Sequence, residues 1–434
     1  MLMTSETQSL AQTTKVLIVD DNRAYREAFR RNLMLQNYEV CEAENAEQAL
    51  QVLEKERPDV IVTDLAMRTE REGLQLIRST KNLYPLMPLI MISAVGTFEE
   101  GAEASRLGAS YVISKSSIDQ ELQTLYTCID RASRRRKEGE ALLEQLRAAA
   151  QTGQAPPAVE KKIRDILSSP EADPYLKAEV FEQWTRIEDP RQRERSTSEF
   201  QEIAQEAGGT TPAPSTAELA ELVPGIGGAD KDTISSLQMA EVFYQQHERG
   251  QSAVDLTRSI GFSFCFAVEN ECKVRLRRKF NKMLSSSQLY EVIEHLLDAR
   301  TGGLDLFFHQ YILRLQQSRQ FAFTVDNVKQ TLQRIQEHRD RYKPDGLKAI
   351  GILLLCFGGE FELKALKGRV IVPNLLNVKE IGDEAEVQNF AYHLINLQHY
   401  RNPYIHPEIS EMEKLSLLRD TALQCLRYIM RLSG

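Results

Sequence analysis

Lys15-Val-Leu-Ile-Val-Asp20-Asp21 decides the fold. A short β-rich apolar run leads straight into two acids. The plan returns at Val60-Ile-Val-Thr-Asp64 and at Pro88-Leu-Ile-Met-Ile-Ser93. Strands apolar on both faces must be covered on both faces, which is the condition of a parallel sheet between helices. Working outward, a helical pattern runs over 22–36. A second strand follows at Tyr38 to Ala43, then a helix over 45–56 with Asn45 placed as its cap. Further helices are predicted over 72–82, near 98–107 with Gly108 as terminator, and from Ser117 onward, with Tyr111-Val-Ile113 as the fifth strand. Five strand–helix alternations predict an α/β, doubly wound, five-stranded parallel sheet of flavodoxin-like plan, with its functional crevice beyond the carboxyl ends of the strands.

The whole chain is too long for that one domain. At ~100–200 residues per domain, 434 residues imply two to four. Apolar residues make up 42% and charged residues 27%, so the chain is not mainly disordered, and its net charge of −8 gives no overall basic attraction for nucleic acid. The longest apolar run, Ala349 to Gly359, is far short of the ~20 residues a membrane span needs. No signal segment is evident at the N-terminus, and Cys41, Cys128, Cys265, Cys272, Cys356 and Cys425 form no C-x-x-C pair. A cytoplasmic location with reduced thiols is expected.

The organisation reads as a flexible tail over 1–13, an α/β domain over 14–135, a helical connector over 136–206, a flexible linker over 207–234 and a mainly α-helical bundle over 235–434. The last helix of the α/β domain has few breakers before Ala150, so it reads either as a signal-transmitting stalk or as a solvated helix end plus linker. The linker is inferred from its Pro and Gly content, and its Gly225-Ile-Gly-Gly228 lacks the strand and Lys-Ser/Thr of a phosphate loop. Beyond it, helical spacing fills 262–284, 288–299, 325–342, 384–400 and 409–432, with a short β excursion near Val370-Ile-Val372.

Strand one ends in Asp20-Asp21, strand three in Asp64 and strand four in Ser93, while Lys115 follows strand five. Three converging carboxylates repel unless a hard cation sits among them, and oxygen-only ligation favours Mg²⁺. A carboxylate can also be a nucleophile toward phosphorus, with Ser93 and Lys115 bonding the phosphoryl oxygens. On these residues 14–135 resembles the receiver domain of two-component response regulators. The resemblance implies that Asp64 accepts phosphate from a sensor histidine kinase. It also implies that Asp20, Asp21, Asp64 and the carbonyl of Ala66 hold Mg²⁺, and that Ser93 and Lys115 form the switch. Departures are Arg68 after Met67, Ser116 in place of the usual Pro after Lys115, and Val112 at the aromatic-switch position with Tyr111 one place early.

The second concentrated feature is Arg401-Asn-Pro-Tyr-Ile-His406. Histidine moves protons near neutral pH, and arginine can clamp phosphate or stabilise a phosphorane. Here 235–434 resembles the HEPN domains, all-helical proteins whose Arg-Asn-x-x-x-His motif marks metal-independent endoribonucleases. The resemblance implies Arg401, Asn402 and His406 as catalytic residues, RNA as substrate and a homodimer. Two other readings stand beside it: a non-catalytic module binding a protein partner, and helix-end capping by Arg401 and His406. Spacings of six and seven keep His393, His399 and His406 off one helical face, against a zinc site. Lys273, Arg275, Arg277, Arg278, Lys279 and Lys282 form a basic run that reads either as a phosphate contact or as a solvated face beside Glu269 and Glu271.

Overall fold

The computed structural model describes residues 13–69, 71–93, 98–114, 118–152, 155–169, 172–187, 213–249, 257–298, 300, 303–312, 323–365, 368–402 and 410–432. The chain divides into two compact units, Met1–Glu144 with Glu171–Leu176, and Gln145–Pro170 with Lys177–Gly434.

In the first unit the alternation predicts the elements well: β1 (Lys15–Val19), α1 (Arg23–Leu35), β2 (Glu39–Ala43), α2 (Ala46–Glu56), β3 (Val60–Asp64), α3 (Glu72–Leu83), β4 (Leu89–Ser93), α4 (Phe98–Arg106), β5 (Tyr111–Ser114) and α5 (Ile118–Thr152). The strands pair in the order β2-β1-β3-β4-β5, every pair parallel. Period-two alternation splits their apolar residues between two cores. Val16, Ile18, Val60, Val62, Ile90 and Ile92 pack with Phe29 and Leu33 of α1 and with Leu125 and Ile129 of α5. Leu17, Val19, Ile61, Leu89 and Met91 pack with Leu53 of α2, Leu76 and Ile77 of α3 and Ala104 of α4. This is the doubly wound α/β fold expected from the strand pattern.

Local chemistry sets the boundaries. Asn45 caps α2 by accepting from the Gln48 N–H at 2.9 Å. Gly108, at φ 99°, stops α4 in the left-handed conformation that only glycine adopts without strain. Helix α5 is continuous to Thr152. Its basic run anchors it: Arg136 donates to the carbonyls of Pro58 and Asp59 at 2.9 and 3.1 Å, and Lys137 pairs with Asp59 at 3.1 Å.

Lys81 of α3 is 2% exposed; it donates to the Pro85 carbonyl at 2.8 Å and lies 4.0 Å from Asp173. Burial pushes its ammonium down from 10.5 to about 8, with Asp173 opposing the fall. The native state therefore binds fewer protons than the unfolded chain between those values, and stability rises with pH across that window. A gain on the order of 3 kcal/mol between pH 8 and 10.5 is expected. Chemical denaturation at stepped pH should show it in the native chain and lose it in Lys81→Met.

The second unit takes in α6 (Pro157–Ser168) and most of α7 (Pro174–Ile187). The linker expected over 207–234 is corrected where it is described. Ser215 forms a capping box on α8 (Thr216–Leu222), a 3-10 turn covers Ile226–Gly228, and Leu219, Val223 and Ile226 are wholly buried. Glycine and proline content there marks tight turns against the core rather than a tether. Then follow α9 (Lys231–Glu248), α10 (Thr257–Leu284), α11 (Ser287–Leu297), α12 (Gly303–Phe307), α13 (Val325–His338), α14 (Leu347–Phe357), β6 (Phe361–Ala365), β7 (Gly368–Val372), α15 (Glu384–His399) and α16 (Glu411–Ile429). Helix α10 packs on α9 and α16, and α14 on α15. Ten of the eleven residues of α14 are buried, which explains the apolar run from Ala349 as a core helix. The antiparallel β6–β7 hairpin bears out the β excursion at Val370–Val372 in an otherwise mainly helical unit. No helix among the described residues is long and apolar enough to cross a membrane.

Candidate functional site

Parallel pairing aligns the carboxyl ends of β1 and β3 as neighbours, and Asp20, Asp21 and Asp64 follow from it. Each offers a carboxylate oxygen within 4.8 Å of the others, the sole such cluster among the described residues. Asp20 is 3% exposed, Asp64 half-buried and Asp21 exposed, so the cluster opens outward. Asp20 Oδ1 accepts from the Asn22 N–H at 2.8 Å, and Asp64 Oδ1 from the Leu65 N–H at 2.8 Å. These bonds fix the carboxylates without neutralising their charge. An all-oxygen set at this spacing suits a hard divalent cation such as Mg²⁺, and receiver domains bind Mg²⁺ through such a cluster. Ala66 lies two residues beyond Asp64 in the same turn.

Ser93 ends β4 in register with Ser114 of β5, which brings its backbone to the same sheet edge. Lys115 and the Lys115-Ser116 bond lie outside the described residues. Tyr111 packs against the core that α5 covers, whereas Val112, at the aromatic-switch position, is 41% exposed.

Three supporting residues carried no motif signal. Arg26 donates to the Asp20 carbonyl at 2.6 Å and pairs with Glu42 of β2 at 3.5 Å, which ties down the acidic turn. Glu72 accepts from the N–H groups of Ala46 and Arg68, both at 3.0 Å. Gly73 donates to the Leu65 carbonyl at 2.9 Å and comes so near that a Cβ there would stand 2.2 Å from the Asp64 carbonyl oxygen. A charged residue at a helix start and a glycine four residues past a loop could have signalled these roles, but only with knowledge of which strands are neighbours.

The second motif is brought together only in part. Arg401 and Asn402 close the turn after α15, while His406 lies outside the described residues. Arg401 is 12% exposed, paired with Glu182 and, at 3.6 Å, with Glu179, both on α7. Asn402 is 2% exposed. His393 stacks near Tyr428, away from any metal-ligand cluster among the described residues. Half of the basic run on α10 is paired inside the unit, while Arg277, Arg278 and Lys282 are exposed. Lys273 pairs with Glu269 and Arg275 with Glu271, each at 2.5 Å, Arg275 also donates to the Leu432 and Gly228 carbonyls, and Lys279 holds Glu380 at 3.0 Å.

Residues 16–127 match the family model described as the response regulator receiver domain. The chain is 36% identical over 101 residues to the response regulator protein FleR of Pseudomonas aeruginosa, covering 23% of this chain and 21% of that relative. It is 31% identical over 117 residues to the transcriptional regulatory protein GlrR of Escherichia coli, covering 27% and 26% respectively. For the response regulator MprA of Mycolicibacterium vanbaalenii the figures are 31% over 108 residues, 25% and 46%. A solved response regulator receiver domain protein from Clostridium thermocellum shares 25% identity over 29% of this chain and 97% of that one, with a TM-score of 0.27. The chain thus spans less than half the length of each of these curated relatives. With an acid cluster at the ends of β1 and β3 and a matching stretch that ends within α5, residues 16–127 are a receiver domain of the two-component response regulators.

Proposed function

We propose that this protein is a phosphorylation-controlled regulator whose C-terminal unit cleaves RNA. The convergence of Asp20, Asp21 and Asp64 carries the first half. An Asp64 carboxylate oxygen attacks the phosphorus of a phosphohistidine on a sensor histidine kinase, the P–N bond breaks, the imidazole leaves, and an acyl phosphate remains on Asp64. Bound Mg²⁺ supplies charge neutralisation at the phosphoryl oxygens; Asp20, Asp21, Asp64 and the Ala66 carbonyl would hold it. Ser93 and Lys115 then bond the phosphoryl group.

For the output, His406 takes the proton of an RNA 2′-hydroxyl, whose oxygen attacks the adjacent phosphorus to form a 2′,3′-cyclic phosphate; the P–O5′ bond breaks and the 5′-oxygen leaves as a hydroxyl with a proton from water. Arg401 stabilises the charge of that phosphorane and Asn402 orients the pair. Two chains contribute motifs to one site, so the active species is a homodimer. The chemistry of a basic residue, an amide and an imidazole within six residues supports this reading. The rival reading is an adaptor that binds a protein partner, and the engagement of Arg401 by Glu179 and Glu182 favours it. Cleavage of a labelled single-stranded RNA by the phosphorylated full chain decides between them. His406→Ala is expected to lower the rate at least ~100-fold. Equal rates for the variant and the native chain would leave the adaptor.

A further inference from the structure

The side of α10 that faces away from the core exposes cations and no acid. Cys272, Leu276, Phe280 and Met283 pack into the core of the second unit. At ~100° per residue, positions two further along stand on the opposite side. There Val274, Arg278 and Lys282 are exposed, with Arg277 and Asn281 beside them. The carboxylates of the helix, Glu269 and Glu271, are 8% and 1% exposed and pair with Lys273 and Arg275. The side chains of Arg277, Arg278 and Lys282 have no ion pair, hydrogen bond or ring contact among the described residues.

A helix face that is merely solvated mixes its charges, as α6 does: Lys161, Lys162 and Arg164 are exposed there beside Asp165, with Glu160 half-buried. On α10 the helix dipole accounts for Lys282, in the last turn, but not for the two arginines. Arg278 and Lys282 are four residues apart and repel, so the bare row costs stability that an anion would restore. The row continues past the helix. Tyr290 donates to the Leu284 carbonyl at 2.7 Å, and the Arg339 guanidinium lies 5.2 Å from the Tyr290 ring centre, so Arg339 stands at the carboxyl end of α10. The 3-10 turn Arg339–Arg341 packs against α10 and adds exposed Arg341, with Asp340 as its one acid.

We propose that this face of α10 is a docking surface for single-stranded RNA, with Arg277, Arg278 and Lys282 on its backbone phosphates. The proposal rests on the reading above that the second unit takes RNA, and it names the surface that holds the strand. Cations recur at Lys273, at Arg277 and Arg278, and at Lys282, about one turn or ~5–6 Å apart along a straight line. That regularity suits a polymer with one charge per repeat better than the uneven surface of an acidic protein. The guanidinium fork also matches two phosphate oxygens at once. Val274, 46% exposed, is the one large apolar side chain exposed on this helix among the described residues, too little for insertion into a lipid surface.

The test uses the full chain, with and without beryllofluoride as the phosphoryl mimic, and a fluorescent oligouridylate read by anisotropy across a KCl series. Arg277→Ala/Arg278→Ala/Lys282→Ala is expected to lower the log–log salt slope of binding by about 2, since each phosphate contact on a single strand contributes ~0.7. At ~0.1 M salt the variant should bind about 100-fold more weakly than the native chain, and the two should converge near ~1 M. Should that variant not fold, Arg278→Gln alone should lower the slope by ~0.7. Lys161→Ala/Lys162→Ala/Arg164→Ala removes the same charge from α6 and should leave the slope unchanged. An unaltered slope in the α10 variants, an equal loss in the α6 variant, or no binding in either state overturns the proposal. So does tighter binding of poly-glutamate, or of phosphatidylserine vesicles, at equal charge concentration, which would assign the face to an acidic protein or a membrane. The nuclease reading fails separately. RNA held through α10 but cleaved equally by the native chain and His406→Ala sinks that reading alone, and His406-dependent cleavage with an unaltered slope sinks this one alone.

Discussion

Asp64→Asn is expected to abolish phosphorylation, with acyl phosphate falling at least ~100-fold below the native chain when acetyl phosphate and Mg²⁺ are supplied. Intact-mass measurement of the added phosphoryl group reads it directly. The substitution keeps the shape of the side chain and an oxygen able to accept from the Leu65 N–H, so the turn after β3 stays in place. What it removes is the nucleophilic carboxylate and one of three charges held within 4.8 Å. Those charges repel, at a cost of about 1 kcal/mol per pair at 4 Å in water and more where Asp20 is buried. The variant should therefore be slightly more stable than the native chain in EDTA. In Mg²⁺ the order should reverse, because ligand binding stabilises only the state that retains the complete donor set. Melting with and without Mg²⁺ separates loss of the nucleophile from loss of the fold: a variant that melts much earlier in EDTA would refute this account.

The sheet was legible because its evidence is local and repeated. Each strand is a short apolar run, and each of the acidic or hydroxyl residues comes at a strand's carboxyl end, so one parallel register lines them all up. Asn45 and Gly108 were readable for the same reason, since a cap and a left-handed terminator are chosen by the backbone of a few residues. The second unit was less legible. Proline and glycine around 213–228 look alike in a tether and in a tight turn; the difference lies in Leu219, Val223 and Ile226, whose partners are far along the chain. The basic run on α10 likewise showed its charge but not its partners, of which Glu380 and the Leu432 carbonyl are about a hundred or more residues away. The pairing of Arg401 with α7 had no sequence signal, because nothing in a motif announces that a connector helix will return to cover it.

Gly73→Ala should be the most damaging single-methyl change in the receiver, and its damage should reach the chemistry. An added Cβ would lie 2.2 Å from the Asp64 carbonyl oxygen and 2.8 Å from both the Cα and the carbonyl oxygen of Leu65. All three obstacles are backbone, so no rotamer change relieves them. Either α3 shifts along its length or the turn bearing Asp64 moves off β3. Overpacking of this kind costs about 3 kcal/mol, and a shift on the order of 1 Å in a reacting group can cost ~100-fold in rate. Phosphorylation of the folded variant is accordingly expected to slow at least ~10-fold, alongside a lower melting temperature. Gly101→Ala is the matching control. It lies inside α4, where the new Cβ would meet only Val112 Cγ1, at 3.8 Å, an ordinary contact. Replacing a helical glycine with alanine there should raise stability by about 0.5–1 kcal/mol and leave phosphorylation unchanged. The two variants add the same atom to two helices of one sheet, so a difference between them isolates the close approach of α3 to the Asp64 turn. Equal phosphorylation rates in both would mean that this approach does not position the acceptor.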